Sequence, residues 1–277
     1  MKAAFQNRRR QSGMTLIELV VVLCILVALT SLVVGNFTRW LRKAHYATTT
    51  VAIGELDRFI SYGTCCMQKY PSGWDSLLET GTQGPQLFSK LPGNSSTVPA
   101  VGGKIFATAL NQDQANALAA IGVTNSYLLT STNRDQTWSV TTTNLALNVY
   151  DPNALFVAEV TPRCIGSLFC NTPTTNDFGP SDFVIFGLGC YTTIIGPEGL
   201  ILEAPVHAGD SIYEDPIFNY ERFAAIFRVD VADPALFPGS KPSDKHYSAS
   251  FVGFVALKPD GISSVDTELH GYYAAQK

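Results

Sequence analysis

Charged residues are scarce in this chain of 277 amino acids, in which Asp, Glu, Lys and Arg make up 15%. The net charge is −4, and it would be −8 without the four basic residues of the first thirteen positions. A chain this acidic lacks the basic surface that nucleic acid requires, so we expect no nucleic-acid partner. Few charges combined with plentiful Gly, Pro, Ser and Thr are typical of a secreted or cell-surface β-rich domain.

Sequence motifs of catalysis are also missing. There is no G-x-S-x-G elbow, Walker loop, H-E-x-x-H or dinucleotide-binding glycine pattern. The histidines are scattered and lack metal-binding spacing: His45, His207, His246 and His270. We therefore expect a protein that is not an enzyme and needs no cofactor.

The six cysteines lack the paired short spacings that zinc ligands show. Cys24 lies in an apolar run, where it acts as a small hydrophobic residue. Cys164 and Cys170 are six positions apart and could close a short loop through a disulfide in an oxidising compartment. The connectivity of the other cysteines stays open: Cys65, Cys66 and Cys190.

The longest apolar run lies near the N-terminus. Eleven apolar residues follow one another from Leu19 to Leu29, and the wider run from Met14 to Val34 would measure about 31 Å as a helix, close to a bilayer core. Basic residues 8–10 precede it and predict a cytoplasmic N-terminus, although three basic residues also follow the run. A secretory signal peptide is one interpretation, but the run is long and no A-x-A site follows it.

Glu18 is the unusual residue of this run, because a charge inside a membrane helix costs about 2.5–3.5 kcal/mol. Thr15 to Glu18 fits the S/T-x-x-E capping box of a helix N-terminus. That motif does not account for Gly13 or for the basic residues before it. The whole segment from Gly13 to Val20 resembles the processing motif of type IV pilins and type II secretion pseudopilins.

This resemblance implies cleavage by a prepilin peptidase between Gly13 and Met14, followed by N-methylation of Met14. The family more often has Phe at the first processed position. Glu18 would become the fifth residue of the processed chain. In an assembly, its carboxylate could approach the N-terminal amine of a neighbouring subunit and set the register between helices.

Helical periodicity continues past the apolar run and ends near Tyr62 and Gly63. We expect a leader over 1–13, a transmembrane and filament-core helix over 14–37, an amphipathic continuation over 38–62 and a globular head over 63–277. The head should contain a helix over 112–121 and strands over 138–141, 145–149, 155–160, 183–186, 223–231 and 247–257. The predicted fold class is α+β and pilin-like, a long N-terminal helix with a membrane-spanning first half packed on a C-terminal antiparallel β-sheet head.

Some pseudopilins bind calcium in a loop, and a group of acidic residues in the head could form such a site. Asp210, Glu214 and Asp215 lie close together in sequence, and calcium takes six to eight oxygen ligands. The Asp-Pro-Trp-Gly segment of the major pseudopilins is absent, and Asp215 to Phe218 echoes it only in part. These residues are weak calcium candidates, and a solvated acidic loop is the alternative.

The expected function is a structural subunit of a type IV pilus or a type II secretion pseudopilus. Its partners would be the prepilin peptidase, other pilin or pseudopilin subunits and the inner membrane. We expect a single-pass inner-membrane protein with a periplasmic head that later joins a filament. The alternative is a membrane-anchored surface binding or adhesin domain with a pilin-like anchor, and an anchored hydrolase is less favoured.

Overall fold

The computed structural model describes most of the N-terminal half of the chain and the main strands of the remainder. The described residues are 16–81, 84–89, 91–92, 104–110, 112–132, 137–141, 156–160, 168, 181–189, 192–197, 199–202, 205, 220, 222–231, 247–258 and 261–274. Two compact units divide the chain, Met1–Lys43 and Ala44–Lys277. We describe each unit by itself.

Helix α1 spans Leu16–Met67 and contains 52 residues. We expected it to end near Gly63, but it continues for another turn. Gly63 is buried, and a Cβ there would overlap the side chain of Leu200, so this glycine serves a close approach rather than a helix end. Gln68 ends the helix in the left-handed conformation at a φ of 56°, and its N–H donates to Thr64 O at 2.8 Å.

The predicted fold class is wrong in its membrane-spanning helix. No helix in the described part of the chain is both long and apolar enough to cross a membrane. The expected run also counted Met14 and Thr15, which lie outside the described residues. We therefore do not retain the pilin-like fold class.

The second unit is built on a sheet in which the described residues form nine strands. They are β1 Gly73–Asp75, β4 Ile105–Ala109, β5 Asn125–Thr132, β6 Thr137–Thr141, β7 Phe156–Val160, β8 Ser181–Gly187, β9 Phe223–Val231, β10 Tyr247–Lys258 and β11 Gly261–Ser263. Their order is β11-β10-β9-β8-β1-β5-β6, with β7 pairing both β8 and β4. A separate hairpin joins β2 Leu78–Gly81 to β3 Gly84–Leu87.

The sheet is antiparallel, as expected, at every described strand pair except one, since β1 and β5 are parallel. Parallel neighbours need a crossover connection. The hairpin, β4 and helix α2 (Gln112–Ala120) supply it between these two strands. Helix α2 packs on β9 and β10, and helix α3 (Val265–Ala274) follows β11 near the end of the chain.

Two hydrophobic clusters lie on opposite faces of the sheet, as the alternation along β8 shows. Val184 and Phe186 belong to the first cluster, whereas Phe183 and Ile185 belong to the second. Helix α1 contributes Ile53, Leu56 and Ile60 to the first cluster, at the three- and four-residue spacing of one helix face. The centre of the sheet is thus buried on both faces, which explains the continuous apolar runs 183–186 of β8 and 223–227 of β9.

A hydrogen bond beside a β-bulge ties α1 to the sheet. The register between β9 and β10 shifts between Phe251 and Gly253, just before Phe254. The N–H of Phe254 donates to Asp57 Oδ1 of α1 at 3.2 Å. Burial raises the pKa of Asp57, and the hydrogen bond from Phe254 partly opposes that rise.

Candidate assembly surface

The part of α1 from Leu16 to Val34, called the apolar segment below, exposes large hydrophobic side chains. Leu16 and Ile17 are the most exposed, at 81% and 71%, and the five consecutive residues 19–23 are 43–52% exposed. Successive helical residues are turned by 100°, so five in a row surround the helix. The apolar segment is therefore hydrophobic on all sides rather than along one stripe.

Burial of such a surface against other apolar groups is strongly favourable. Full burial of one Val, Leu or Ile side chain contributes about 1.5–3 kcal/mol, and about a dozen of these side chains are roughly half exposed. Covering them would release on the order of 10 kcal/mol before the entropic cost of association. Helices that are apolar all round are found inside a protein core, in a bilayer or among other helices.

Polar groups within the apolar segment do not oppose its burial. Thr30 Oγ1 donates to Leu26 O at 2.7 Å, and Ser31 Oγ donates to Ala28 O at 2.8 Å. Each hydroxyl proton is thus satisfied by the backbone of its own helix. Covering the segment would leave neither donor without an acceptor.

Glu18 is the exception, because it brings a charge to this surface. It lies in the first described turn of α1. Val21 and Val22 follow at the three- and four-residue spacing and line a shallow groove with Ile17 and Glu18. A carboxylate covered among such side chains requires a cationic partner, since an isolated buried charge is very costly.

Most other residues singled out from the sequence lie outside the described part of the chain. These are the cleavage-site residues Gly13 and Met14, the cysteines Cys164, Cys170 and Cys190, and the calcium candidates Asp210, Glu214 and Asp215. Cys65 and Cys66 are described, and both are exposed free thiols near the end of α1. The described residues contain no group of three or more His, Cys, Asp or Glu side chains that could hold a metal ion.

One buried carboxylate, at the end of β1, was not predicted from the sequence. Asp75 is 1% exposed, and Tyr220 Oη donates to its Oδ2 at 2.7 Å. Burial raises the pKa of Asp75 to about 6, while the hydrogen bond from Tyr220 and the charge of Arg222 hold it lower than burial alone would. The two partners lie about 145 residues further along the chain, so no local pattern could reveal them.

A second set of buried carboxyl groups lies beside α2. Glu159 pairs with Val184 across β7 and β8, which makes Asp182 its diagonal neighbour on the same face. Burial, and then repulsion from Asp182, raises the pKa of Glu159 to about 7. Gln114 of α2 donates to Asp182 Oδ2, and burial raises the pKa of Asp182 as well. This face therefore holds two carboxyl groups that resist ionisation.

A buried ion pair joins β10 to α3. Lys258 Nζ lies 2.8 Å from Glu268 Oε1 and 3.0 Å from Oε2, and the two side chains are 5% and 1% exposed. The same ammonium lies 5.0 Å from the centre of the Tyr46 ring of α1. Gly271 of α3 approaches that ring so closely that a Cβ would overlap it. Lys258, Glu268 and Tyr46 thus connect three elements.

In comparison with known proteins, no family model matches the chain, and no curated protein or solved structure shows significant similarity to it.

Proposed function

We propose that this protein is a structural subunit of a type IV pilus or a type II secretion pseudopilus. In this proposal it is processed between Gly13 and Met14, assembles through the apolar segment and has a mechanical rather than a catalytic function. Its partners are the prepilin peptidase and further subunits of the same kind. The proposal rests on the N-terminal residues and not on the fold of the second unit.

The observation that carries the proposal is an apolar segment exposed on every side with one carboxylate, Glu18, near its start. A single groove on a partner would cover one face of such a helix. Several copies of the same helix packed around it would cover all faces, which is the arrangement of a filament core. The inner-membrane location before assembly, with a periplasmic head, stays a prediction from the basic residues of the leader.

Cleavage after Gly13 would also create a cation that can pair with Glu18 in an assembly. It creates a positively charged amine at Met14, four residues before Glu18. Opposite charges about 4 Å apart gain on the order of 4 kcal/mol at an intermediate dielectric. An amine of one copy placed against Glu18 of the next would therefore fix the axial register between helices that are otherwise uniformly apolar.

Substitution of Glu18 by Gln tests this proposal. The variant keeps the size and polarity of the side chain but loses the charge that attracts the amine. We expect at least a tenfold loss of sheared filaments from cells that contain the prepilin peptidase and the assembly machinery, as measured by immunoblot and electron microscopy. Glu18→Gln should still be cleaved, which separates failed assembly from failed processing.

Glu55→Gln is the matched control on the same helix. Glu55 is exposed and forms only a loose ion pair with Arg58, at 3.6 Å, so its loss should leave filaments at the wild-type level. Filaments of Glu18→Gln at the wild-type level would refute a role of this carboxylate in assembly.

A further inference from the structure

We propose that Asp75 and Tyr220 form a proton-sensitive joint, at which the half of the sheet from β8 to β11 is held against β1 and β5. This inference is independent of the proposed function, because it concerns only the second unit. It starts from the place of Asp75 in the sheet.

Asp75 lies where the two halves of the sheet meet. It pairs with Gly187 of β8 on one side and with Tyr127 of β5 on the other. In the described part of the chain, Asp75 and Gly187 are the one residue pair in register between β1 and β8. Tyr220 precedes β9, so its hydrogen bond to Asp75 adds a second connection across the same junction.

The surroundings of Asp75 exclude water. A Cβ at Gly189 would overlap the Asp75 carboxylate, and one at Gly187 would overlap the hydroxyl group of Tyr220. Asp75 Oδ1 is buried and has no hydrogen-bond partner among the described residues. An ionised carboxylate with one unsatisfied oxygen is costly in such a place, whereas a protonated one is much less so.

Among the residues that the structure describes, few charged or titratable groups face this carboxyl group. Tyr220 and Arg222 approach from the segment that enters β9, and Arg222 also lies over the Tyr220 ring, 5.9 Å from its centre. The register partner on β5 is Tyr127, and residues 187–189 at the end of β8 carry no charge. The proton affinity of Asp75 is therefore set by burial against the contributions of Tyr220 and Arg222.

The direction of the pH response follows from the raised pKa. In the closed joint, the Asp75 carboxyl group is protonated below about pH 6. In an open, hydrated joint, it stays ionised down to about pH 3.8. A falling pH therefore favours the closed joint between about pH 6 and pH 3.8, because the closed state binds the proton more tightly. This contribution of Asp75 to closure is lost as the pH rises through about 6. Between pH 7 and pH 5, the equilibrium constant for opening should fall about tenfold, because each pH unit below the pKa of the closed state corresponds to about a factor of ten.

Hydrogen exchange measured by mass spectrometry tests the joint directly. The full chain, dispersed in a mild non-ionic detergent, is exchanged at pH 5 to 8, and rates are corrected for the intrinsic effect of pH. In the wild type, peptides covering residues 73–78 and 181–189 should become about tenfold more protected at pH 5 than at pH 7. Asp75→Asn cannot ionise and should lack this change, whereas the control Asp230→Asn, at a partly exposed Asp of β9, should retain it.

Tyr220→Phe gives a readout that a merely structural role would not produce. Tyr220 lowers the pKa of Asp75, so removing its hydroxyl group should raise that pKa further and move the gain in protection to higher pH. A tenfold change that persists in Asp75→Asn would overturn the proposal. A Tyr220→Phe variant that weakens protection equally at every pH would overturn it as well. Should Asp75→Asn fail to fold, the Tyr220→Phe variant alone tests the proposal.

Discussion

The buried pair of Lys258 and Glu268 leads to a prediction that can be worked out in detail. Replacing Glu268 by Gln preserves the shape of the side chain but removes the charge that neutralises the Lys258 ammonium. Lys258 is 5% exposed on its side chain, so water cannot take over the role of the carboxylate. The Tyr46 ring, 5.0 Å away, offers a much weaker cation–π contact, worth about 0.5–2 kcal/mol.

The size of the effect follows from this imbalance. Removing one partner of a buried ion pair costs about 3–5 kcal/mol, because the other charge stays buried and uncompensated. We expect Glu268→Gln to lower the free energy of unfolding by about 3 kcal/mol, at the low end because Gln keeps one acceptor oxygen. The double variant Lys258→Met/Glu268→Leu removes both charges and should recover to within about 1 kcal/mol of the wild type.

Urea unfolding followed by circular dichroism, with the full chain in mild detergent, measures these differences. The exposed pair of Glu55 and Arg58, at 3.6 Å, serves as the control, and Glu55→Gln should change stability by less than about 0.5 kcal/mol. A cost of less than about 1 kcal/mol for Glu268→Gln would contradict this prediction. So would a double variant that loses as much stability as Lys258→Met and Glu268→Leu together, since the two side chains would then not be coupled.

Two further predictions concern carboxyl groups of the same unit. The pKa of Glu159 is about 7 in the folded protein against an ordinary value of 4.5, so its contribution to stability is lost as the pH rises through about 7. Glu159→Gln should therefore make the free energy of unfolding less pH-dependent between pH 5 and 7.5. An unchanged pH profile would contradict this prediction. Asp57→Ala should cost about 1–3 kcal/mol in urea unfolding, because the N–H of Phe254 loses its acceptor. Asp57→Asn keeps an acceptor and should cost clearly less.

Much of the local structure could be predicted from the sequence, because local patterns determine it. The strand expected over 223–231 is confirmed as Phe223–Val231, and that over 247–257 is confirmed apart from one additional residue. The helix expected over 112–121 is confirmed as Gln112–Ala120. The prediction over 145–149 lies outside the described residues. Hydrophobic patterning with turn residues at both ends predicted these elements.

What the sequence could not reveal depends on partners distant along the chain. Strand β1 has three residues, too few for a periodic pattern, and its parallel partner β5 follows a long crossover. Gly63 was expected near the end of helix α1, but its role is to allow the close approach of the Leu200 side chain. Burial of Asp75 likewise depends on Tyr220, far along the chain. Glu18 was accessible to sequence reasoning because its apolar neighbours lie within one helical turn.

The central claim is that the chain is processed after Gly13 and assembled as a filament subunit. Mass spectrometry of the N-terminal peptide from the native protein tests its first step most directly. We expect a chain that begins at Met14 and carries one N-methyl group on its α-amine. A mature protein that retains Met1 and residues 2–13 would contradict it.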